Sequence, residues 1–446
     1  MHRTATATSG RVIPALFFDR LKALREEPVL AAVRGLFRAA RGKEIYLVGG
    51  AVRNLLLERP MGFDYDFALK GLTAKTFSKR LADKIGGSAF LLDKKTSSYR
   101  VAVFLKGARH TIDFSPVKNG SIVADLKGRD FTVDAAGISI KESFRSDEPR
   151  LLDPRGGAAD AEDRLLRMTS RRVFDADPLR CLRAVRISRQ CGLGITPDTA
   201  ALIKKKAPHL KRVSVERIRD ELQLIFGNPG TPDALKALYK LGIMDAVMPE
   251  ISGWEDVRGY KLLSHAIKTV EEAEGFLSAL RSGGIPWYPD ELRAHFGFTS
   301  EEGGTFQPGR AAFFKMAAFL HDIGKPLTIS RREGRTIFWG HDHEGSRVVK
   351  DLMLRLRFSR RIALATANLV KNHHRVFTLA ALKEPSQRAK AHFFNAAGKA
   401  SGVDLLCLSL VDARATRGKE DEGLLRLVIG MLGFYYQSYA KKRPKP

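Results

Sequence analysis

Acidic residues are scarce in this sequence. Its 446 residues hold 49 Asp and Glu against 76 Lys and Arg, a formal net charge of +27. So basic a chain points to a polyanionic partner, and in the cytosol that class is mostly nucleic acid. Cysteine is rarer still. Three residues, Cys181, Cys191 and Cys407, exclude a disulfide framework and fit a reducing compartment. No apolar run approaches the roughly 18 residues of a membrane-spanning helix. The opening stretch MHRTATATSGRVIP lacks the apolar core of a signal peptide, so a cytoplasmic location and no membrane partner are expected. Internal repeats and low-complexity tracts are absent as well. What is present is ordinary for a globular protein: 44% hydrophobic and 28% charged residues, enough apolar side chains to exclude a wholly disordered chain. The length suggests two to four domains.

The pattern divides in two. After a start that reads as a helix (FFDRLKALREEPVLAAVRGLFRAA), EIYLVGG reads as a strand closed by glycines, and AVRNLLLERP as a helix stopped by Pro60. FDYDFALK alternates as a strand does, TAKTFSKRLADKIGG is a helix with a glycine stop, and SAFLLD, YRVAVFLK and HTIDFSPV are further strands. From about residue 160 the strand signals vanish. DRLLRMTSRRVF, DPLRCLRAVRISRQCG, PDTAALIKKKAPHL and SVERIRDELQLIFG carry helical periodicity. Residues 283–308, rich in Gly, Pro and aromatics, read as an irregular insertion, and helices resume at AAFFKMAAFLHD. The basic residues are spread along the chain, with clusters at 204–206, at Arg360 and Arg361, and in the tail KKRPKP. That distribution suits backbone phosphates better than base reading.

Asp64 and Asp66 stand one residue apart in a strand, so both carboxylates share a face. Paired carboxylates suit Mg²⁺, which takes one or two of them plus substrate phosphates. Just upstream, Gly49 and Gly50 close a strand and open a helix. There, free N–H groups and the helix dipole can receive a triphosphate, with Arg53 one turn in.

These residues lie in LVGGAVRNLLLERPMGFDYDFAL, which resembles the signature of the tRNA nucleotidyltransferase/poly(A) polymerase family, class II. GRDFTVDAAGISI (128–140) resembles the family's arginine–aspartate motif, and LLDPRGGAADAEDRLLRM (151–168) its Asp-Pro-x-Gly-Gly connector. DADPLRCLRAVR (175–186) is similar to its Glu-Asp-x-x-Arg motif, and SVERIRDEL (214–222) to its neck helix. The resemblance implies an α+β fold, in which a small mixed-sheet nucleotidyltransferase head of polymerase-β type precedes an all-helical neck, body and tail. It implies two-metal nucleotidyl transfer on Asp64 and Asp66, with Asp113 either a third carboxylate or structural. Gly49, Gly50 and Arg53 would hold the triphosphate, and Arg129 and Asp130 the ribose. Asp177 and Arg180, expected three residues apart on one helical face, would hydrogen-bond the base edge of CTP or ATP. Arg183 and Arg186 would continue that face toward the triphosphate or the RNA. Asn54, Gly128, Ala176 and Asp134 depart from the family pattern, which leaves nucleotide choice open. The segment from Phe114 to Gly128 is also short, as in members that add only part of the CCA end.

Histidines concentrate toward the C-terminus. His265, His321-Asp322, His341, His343, His373-His374 and Asp412 combine imidazole and carboxylate, a donor set for divalent metals. The order of His265, His321, Asp322 and Asp412 resembles the HD superfamily of metal-dependent phosphohydrolases, with His341 and His373 at its extra positions. The resemblance implies a second divalent metal, Mn²⁺, Ni²⁺ or Mg²⁺, or else an inherited helical domain that now only binds RNA. The expected domains are an N-terminal extension and helix (1–40), the head (41–145), a helical neck and RNA-binding body (146–255), and an HD-type tail (256–446). The expected activity is transfer of CMP, AMP or both from CTP and ATP to the 3′ end of tRNA or another RNA with Mg²⁺. A poly(A) polymerase and an HD phosphohydrolase acting on nucleotides or RNA ends are the alternatives.

Overall fold

The computed structural model describes residues 27–37, 43–140, 151–298, 309–382 and 384–439. Of the expected first helix, Pro28–Phe37 is observed; the flanking residues, like the tail KKRPKP, lie outside the described ones. The chain forms two compact units. The described residues of the first run to Arg180 and resume over Cys191–Lys206, while Cys181–Gln190 and most of the chain from Ala207 onward make the second.

The first unit is built on a seven-stranded sheet. Its strands are β1 (Glu44–Val48), β2 (Asp64–Lys70), β3 (Ser88–Asp93), β4 (Ser98–Leu105), β5 (Ala108–Pro116), β6 (Gly137–Ser139) and β7 (Leu151–Leu152), in the order β3-β4-β5-β2-β1-β6-β7. Only β2 and β5 pair in parallel; the other pairs are antiparallel. Alternation then assigns the two faces. Tyr65, Phe67, Ile112, Phe114, Val101 and Val103 turn inward and are buried. Phe67 and Phe114 stack at 5.3 Å, and Phe77 of the helix Ala74–Ile85 meets Phe114 edge-on at 5.2 Å. Each fully buried ring contributes about 2–3 kcal/mol by the area it removes from water. On the other face, Ile122 and Leu126 of the helix Ile122–Lys127 cover Tyr46, Val48 and Ala68. They stop short of Asp64 and Asp66, which stay exposed.

Several boundaries differ from expectation. The helix Gly50–Leu56 ends four residues before Pro60, where Glu58 takes φ 57°, so proline does not stop it. β7, at Leu151–Leu152, joins β6 in the sheet. The run DRLLRMTSRRVF is not a continuous helix: Leu165–Leu166 forms a short parallel pair with Gly194–Ile195, with Leu166 buried. The Asp-Pro-x-Gly-Gly connector has a local physical role. Asp153 accepts hydrogen bonds from the N–H groups of Gly157 (2.7 Å) and Ala158 (2.9 Å), capping the helix Gly157–Glu162. Gly157 is required because a Cβ there would sit 2.1 Å from the Thr132 carbonyl oxygen.

The second unit is helical. Its helices Arg310–Leu320 and, over residues 402–413, Lys399–Arg417 are buried on nearly every side, and both pack against Leu262–Ser282. The expected irregular insertion contains the helix Pro289–Phe296, started by proline and two acids; residues 299–308 lie outside the described ones. A short exposed hairpin, Ser330–Arg332 with Arg335–Ile337, interrupts the helices.

Asp404 fastens this unit internally. Its buried carboxylate accepts from Arg310 Nε (2.9 Å) and Nη2 (2.7 Å) and pairs with His295 Nε2 (2.8 Å). Burial opposes the charge, but His295 and Arg310 together hold the Asp404 carboxyl below its usual range. Asp404→Asn is expected to destabilise this unit by about 3 kcal/mol, since it leaves a half-buried guanidinium without its counter-charge. Thermal or urea unfolding followed by circular dichroism would check this.

Candidate active site and metal centre

The parallel register of β2 and β5 sets Asp64 opposite Thr111 and Asp66 opposite Asp113. Three carboxylates therefore gather on one open face. Asp113 is held in place by Arg100 of β4, whose Nε and Nη2 each reach a different carboxylate oxygen at 2.7 Å. Thr111 Oγ1 donates to Asp64. Asp66 touches solvent, yet protein crowds it on most sides. That loss of hydration, then repulsion from Asp113, pushes its carboxyl up to about 6, although Arg129 opposes the shift.

Gly49 occupies φ 72°, and a Cβ there would lie 2.9 Å from Asp66 Oδ2 and 3.1 Å from Arg129 Nη1. The glycine turn, the carboxylates and Arg129 thus meet at one point. Arg53, one turn into the helix, pairs with Asp134 at 2.5 Å, so aspartate at the position where the family commonly has asparagine serves to anchor this arginine. Arg129 is positioned from behind: Thr169 donates to its carbonyl oxygen, and Asp125 lies 3.6 Å from Nη2. Its Nε is buried without a hydrogen-bond partner. Asp130 is buried and accepts from the Phe131 N–H at 3.1 Å.

The base-reading pair needs a correction. Asp177 does not share a helical face with Arg180; it is extended (φ −153°, ψ 101°) and precedes the helix Arg180–Cys191. Its side chain accepts from the Leu179 N–H and its carbonyl from the Arg180 N–H, a capping position that Pro178 makes natural. Both residues are half-buried. In the second unit, Arg186 is tied to the buried Glu221 (Nε to Oε2, 2.6 Å), and Arg183 approaches the same carboxylate at 3.7 Å. Glu221 thus engages Arg186 in holding the helix Arg180–Cys191 to Val215–Gly227. The glutamate stood in the quoted SVERIRDEL motif, but the pairing of distant helices left no local signal.

The second unit gathers the histidines. His265, His321 and Asp412 form one group of potential ligands; Asp322, His341, His373 and His374 form another. His265 Nε2 lies 3.2 Å from Asp412 and 3.4 Å from Asp322, and His321 Nε2 lies 3.2 Å from Asp322. His341 and His373 reach the other Asp322 oxygen at 3.3 and 3.6 Å. The Nδ1 atoms of His321, His341 and His373 each lie 2.6–2.9 Å from a carbonyl oxygen of their own helix end or turn. With Nδ1–H donating there, each Nε2 is left as a lone-pair donor toward the cluster, the tautomer a metal needs. His373 Nε2 is buried with no hydrogen-bond partner.

In the metal-free cluster the electrostatics differ from ring to ring, and at His321 they favour the protonated form that a bound metal would have to displace. Burial opposes the charge on His321, but Asp322 and Asp412 lift its pKa well above the usual range. Burial likewise opposes ionisation of Asp322, which His321 and the other rings hold far below the ordinary value. Crowding and the neighbouring His373 and His341 rings push His374 down to about 4. His374 belongs to the donor set read from sequence. Two residues of this centre were not singled out there: Lys325, which bonds Asp322 at 2.6 Å, and Tyr260, whose ring Lys325 overlies at 4.4 Å; neither carried a local signal. His343, one residue from Asp342, is absent from both groups.

Comparison with known proteins bears on all these parts. Residues 45–167 match the poly A polymerase head domain, residues 192–254 the probable RNA and SrmB-binding site of polymerase A, and residues 303–416 the HD domain. The chain is 31% identical over 387 residues to the A-adding tRNA nucleotidyltransferase of Deinococcus radiodurans, covering 85% of this chain and 78% of that one. It is 34% identical over 367 residues to the CC-adding tRNA nucleotidyltransferase of Geobacter sulfurreducens, covering 82% and 77%. Among solved structures, a CCA-adding enzyme complexed with CTP aligns with a TM-score of 0.63 at 20% identity, covering 95% of this chain and 87% of that one. The Thermotoga maritima CCA-adding enzyme complexed with tRNA aligns at 0.58 and 19% identity, over 96% of each. The mixed-sheet head and helical body are therefore a shared fold.

Proposed function

From the premise that this chain belongs to the tRNA nucleotidyltransferase/poly(A) polymerase family, we propose that it is a template-independent RNA nucleotidyltransferase. It adds CMP, AMP or both, from CTP and ATP, to the 3′ end of tRNA. The observation that carries this reading is the meeting of Asp64, Asp66 and Asp113 with the Gly49 turn and Arg129 on one open sheet face.

In the reaction, the 3′-hydroxyl oxygen of the RNA attacks the α-phosphorus of the nucleotide. A new P–O bond forms as the α–β bridging bond breaks, pyrophosphate leaves, and the hydroxyl proton passes to solvent. The three carboxylates are hard oxygen donors gathered on one open sheet face, so they fit Mg²⁺. When bound, Mg²⁺ supplies Lewis-acid activation of the hydroxyl and neutralises charge on the leaving group. The N–H groups of the Gly49–Gly50 turn and Arg53 bind the triphosphate. Arg129 and Asp130 orient the ribose, and Asp177 and Arg180 meet the base edge. Arg183, secured by Glu221, lies toward the RNA together with Arg186.

Addition of only part of the CCA end is favoured by the segment between Asp113 and Arg129, which is short and folded: Ile122 and Leu126 are core residues. A cytoplasmic setting accords with the three free, buried cysteines. For the second unit, the five imidazoles and two carboxylates support metal-dependent phosphohydrolysis of nucleotides or RNA ends. That donor set suits Mn²⁺ or Ni²⁺ better than Mg²⁺.

The test is single-nucleotide extension. A tRNA transcript lacking CCA, and the same transcript ending in C or CC, would be incubated with Mg²⁺ and each nucleoside triphosphate, singly and in pairs. Addition of C alone, or of A only onto CC, is the expected result. Sequential C, C, A and a stop would make it a complete CCA enzyme, and long A tails a poly(A) polymerase. No extension would overturn the transferase reading.

A further inference from the structure

The sheet order divides the catalytic row into two sides. On one side of β2 stand β1 and its glycine turn, with Arg53 and Arg129 beside it. On the other stand β5, β4 and β3. In-line displacement requires the attacking oxygen to lie opposite the departing pyrophosphate. With the triphosphate on the β1 side, the RNA 3′ end approaches across β5, β4 and β3.

That stretch of the face is aromatic. One register row runs Asp66, Asp113, Arg100, Phe90 across four neighbouring strands. At about 4.8 Å per strand, Phe90 stands roughly 14 Å from Asp66. Phe104 of β4 lies on the same face, in register with Arg109 of β5 and roughly 12 Å from Asp64 by the same spacings. Phe104 is 70% exposed and Phe90 45% exposed. Arg109 and, in the β4–β5 turn, Lys106 are exposed cations beside them.

We propose that Phe104 and Phe90 form a stacking platform for the unpaired bases at the RNA 3′ end, immediately upstream of the reacting nucleotide, with Arg109 and Lys106 on their phosphates. The proposal rests on the transferase reading and explains a requirement of it. A primer whose terminal base changes after each addition needs a grip indifferent to base identity. Stacking provides one, because every base has a π-face. Phe104 and Phe90 are thus positioning residues, two and three strands from Asp64 and Asp66.

Phe104→Ala is expected to raise the KM for tRNA ending in C by about 5- to 100-fold. The KM for the nucleotide and kcat at saturating RNA should change little, and Phe104→Tyr should restore the wild-type value. A second measurement needs no catalysis. RNA carrying 2-aminopurine at its 3′ terminus loses fluorescence when the base stacks, so wild type should quench it and Phe104→Ala should not. Unchanged KM and unchanged quench would overturn the platform. If the same substitution also dispersed a dimer, the strand edge would belong to a second copy of the chain instead. Quenching by a wild-type protein that extends no RNA would uphold the platform and overturn the transferase reading.

Discussion

Replacing Asp66 with asparagine should reduce nucleotide addition at least about a thousandfold while leaving the chain folded and able to bind tRNA. The amide keeps the shape of the carboxylate but removes a ligand charge. Its effect on stability should run the opposite way. The Asp66 pKa is raised in the folded protein, from an ordinary 3.8 to about 6. Its ionised form is therefore disfavoured there, and the metal-free wild type loses stability as pH rises through that interval. Well below pH 3.8 the carboxyl is protonated in both folded and unfolded states, and wild type and variant should melt together. Between pH 4 and 7 the variant should melt progressively higher. Added Mg²⁺ should close the gap by stabilising only the wild type. Paired melting curves across pH, with and without Mg²⁺, check the sign; a variant that melts lower at neutral pH would contradict the lost hydration and carboxylate repulsion described for Asp66.

Asp322→Asn should have the largest effect in the second unit. One carboxylate there faces His265, His321, His341, His373 and Lys325. Removing its charge leaves Lys325 and the protonated His321 without their counter-charge, at a cost of about 3–5 kcal/mol. The pH dependence has two flanks in the metal-free wild type. Asp322 has a depressed pKa, so its contribution is present above the unfolded value near 3.9 and is lost as pH falls. His321 has a raised pKa, so its contribution is complete below the unfolded value near 6.5 and is lost as pH rises through the folded one. Stability should therefore peak between these limits. In the variant the alkaline flank should flatten, because His321 loses its strongest partner. Uptake of Mn²⁺ or Ni²⁺ by calorimetry should fall at least about tenfold, while nucleotide addition at permissive temperature persists.

Local signals made much of this legible. Asp64 and Asp66 share a face because strand periodicity is two, and Gly49 and Gly50 announce a turn wherever they follow an apolar run. The HD dipeptide and its scattered histidines could be grouped by chemistry alone. What stayed hidden depended on pairing between distant segments. That Asp113 lies beside Asp66 follows from a parallel pairing of β2 with β5, which no turn signal encodes. That Arg100 holds Asp113 follows from the next strand again. Asp177 was misread as helical because its three-residue spacing from Arg180 fits a helix, although Pro178 between them fits a helix start as well. The hairpin at 330–337 carries charge on both faces, so no apolar alternation marked it. The helix Pro289–Phe296 was masked by the Gly, Pro and aromatic residues around it, despite the Pro-Asp-Glu start within the stretch.

The Asp404 fastening has a practical consequence for engineering. His295 and Arg310 precede and follow residues 299–308 and are moored to the same buried carboxylate. Those two residues thus tie the helices Pro289–Phe296 and Arg310–Leu320 to Lys399–Arg417 through side chains, independently of the chain that joins them. The clasp is therefore also a release point: the single change Asp404→Asn frees three helices from one another at once.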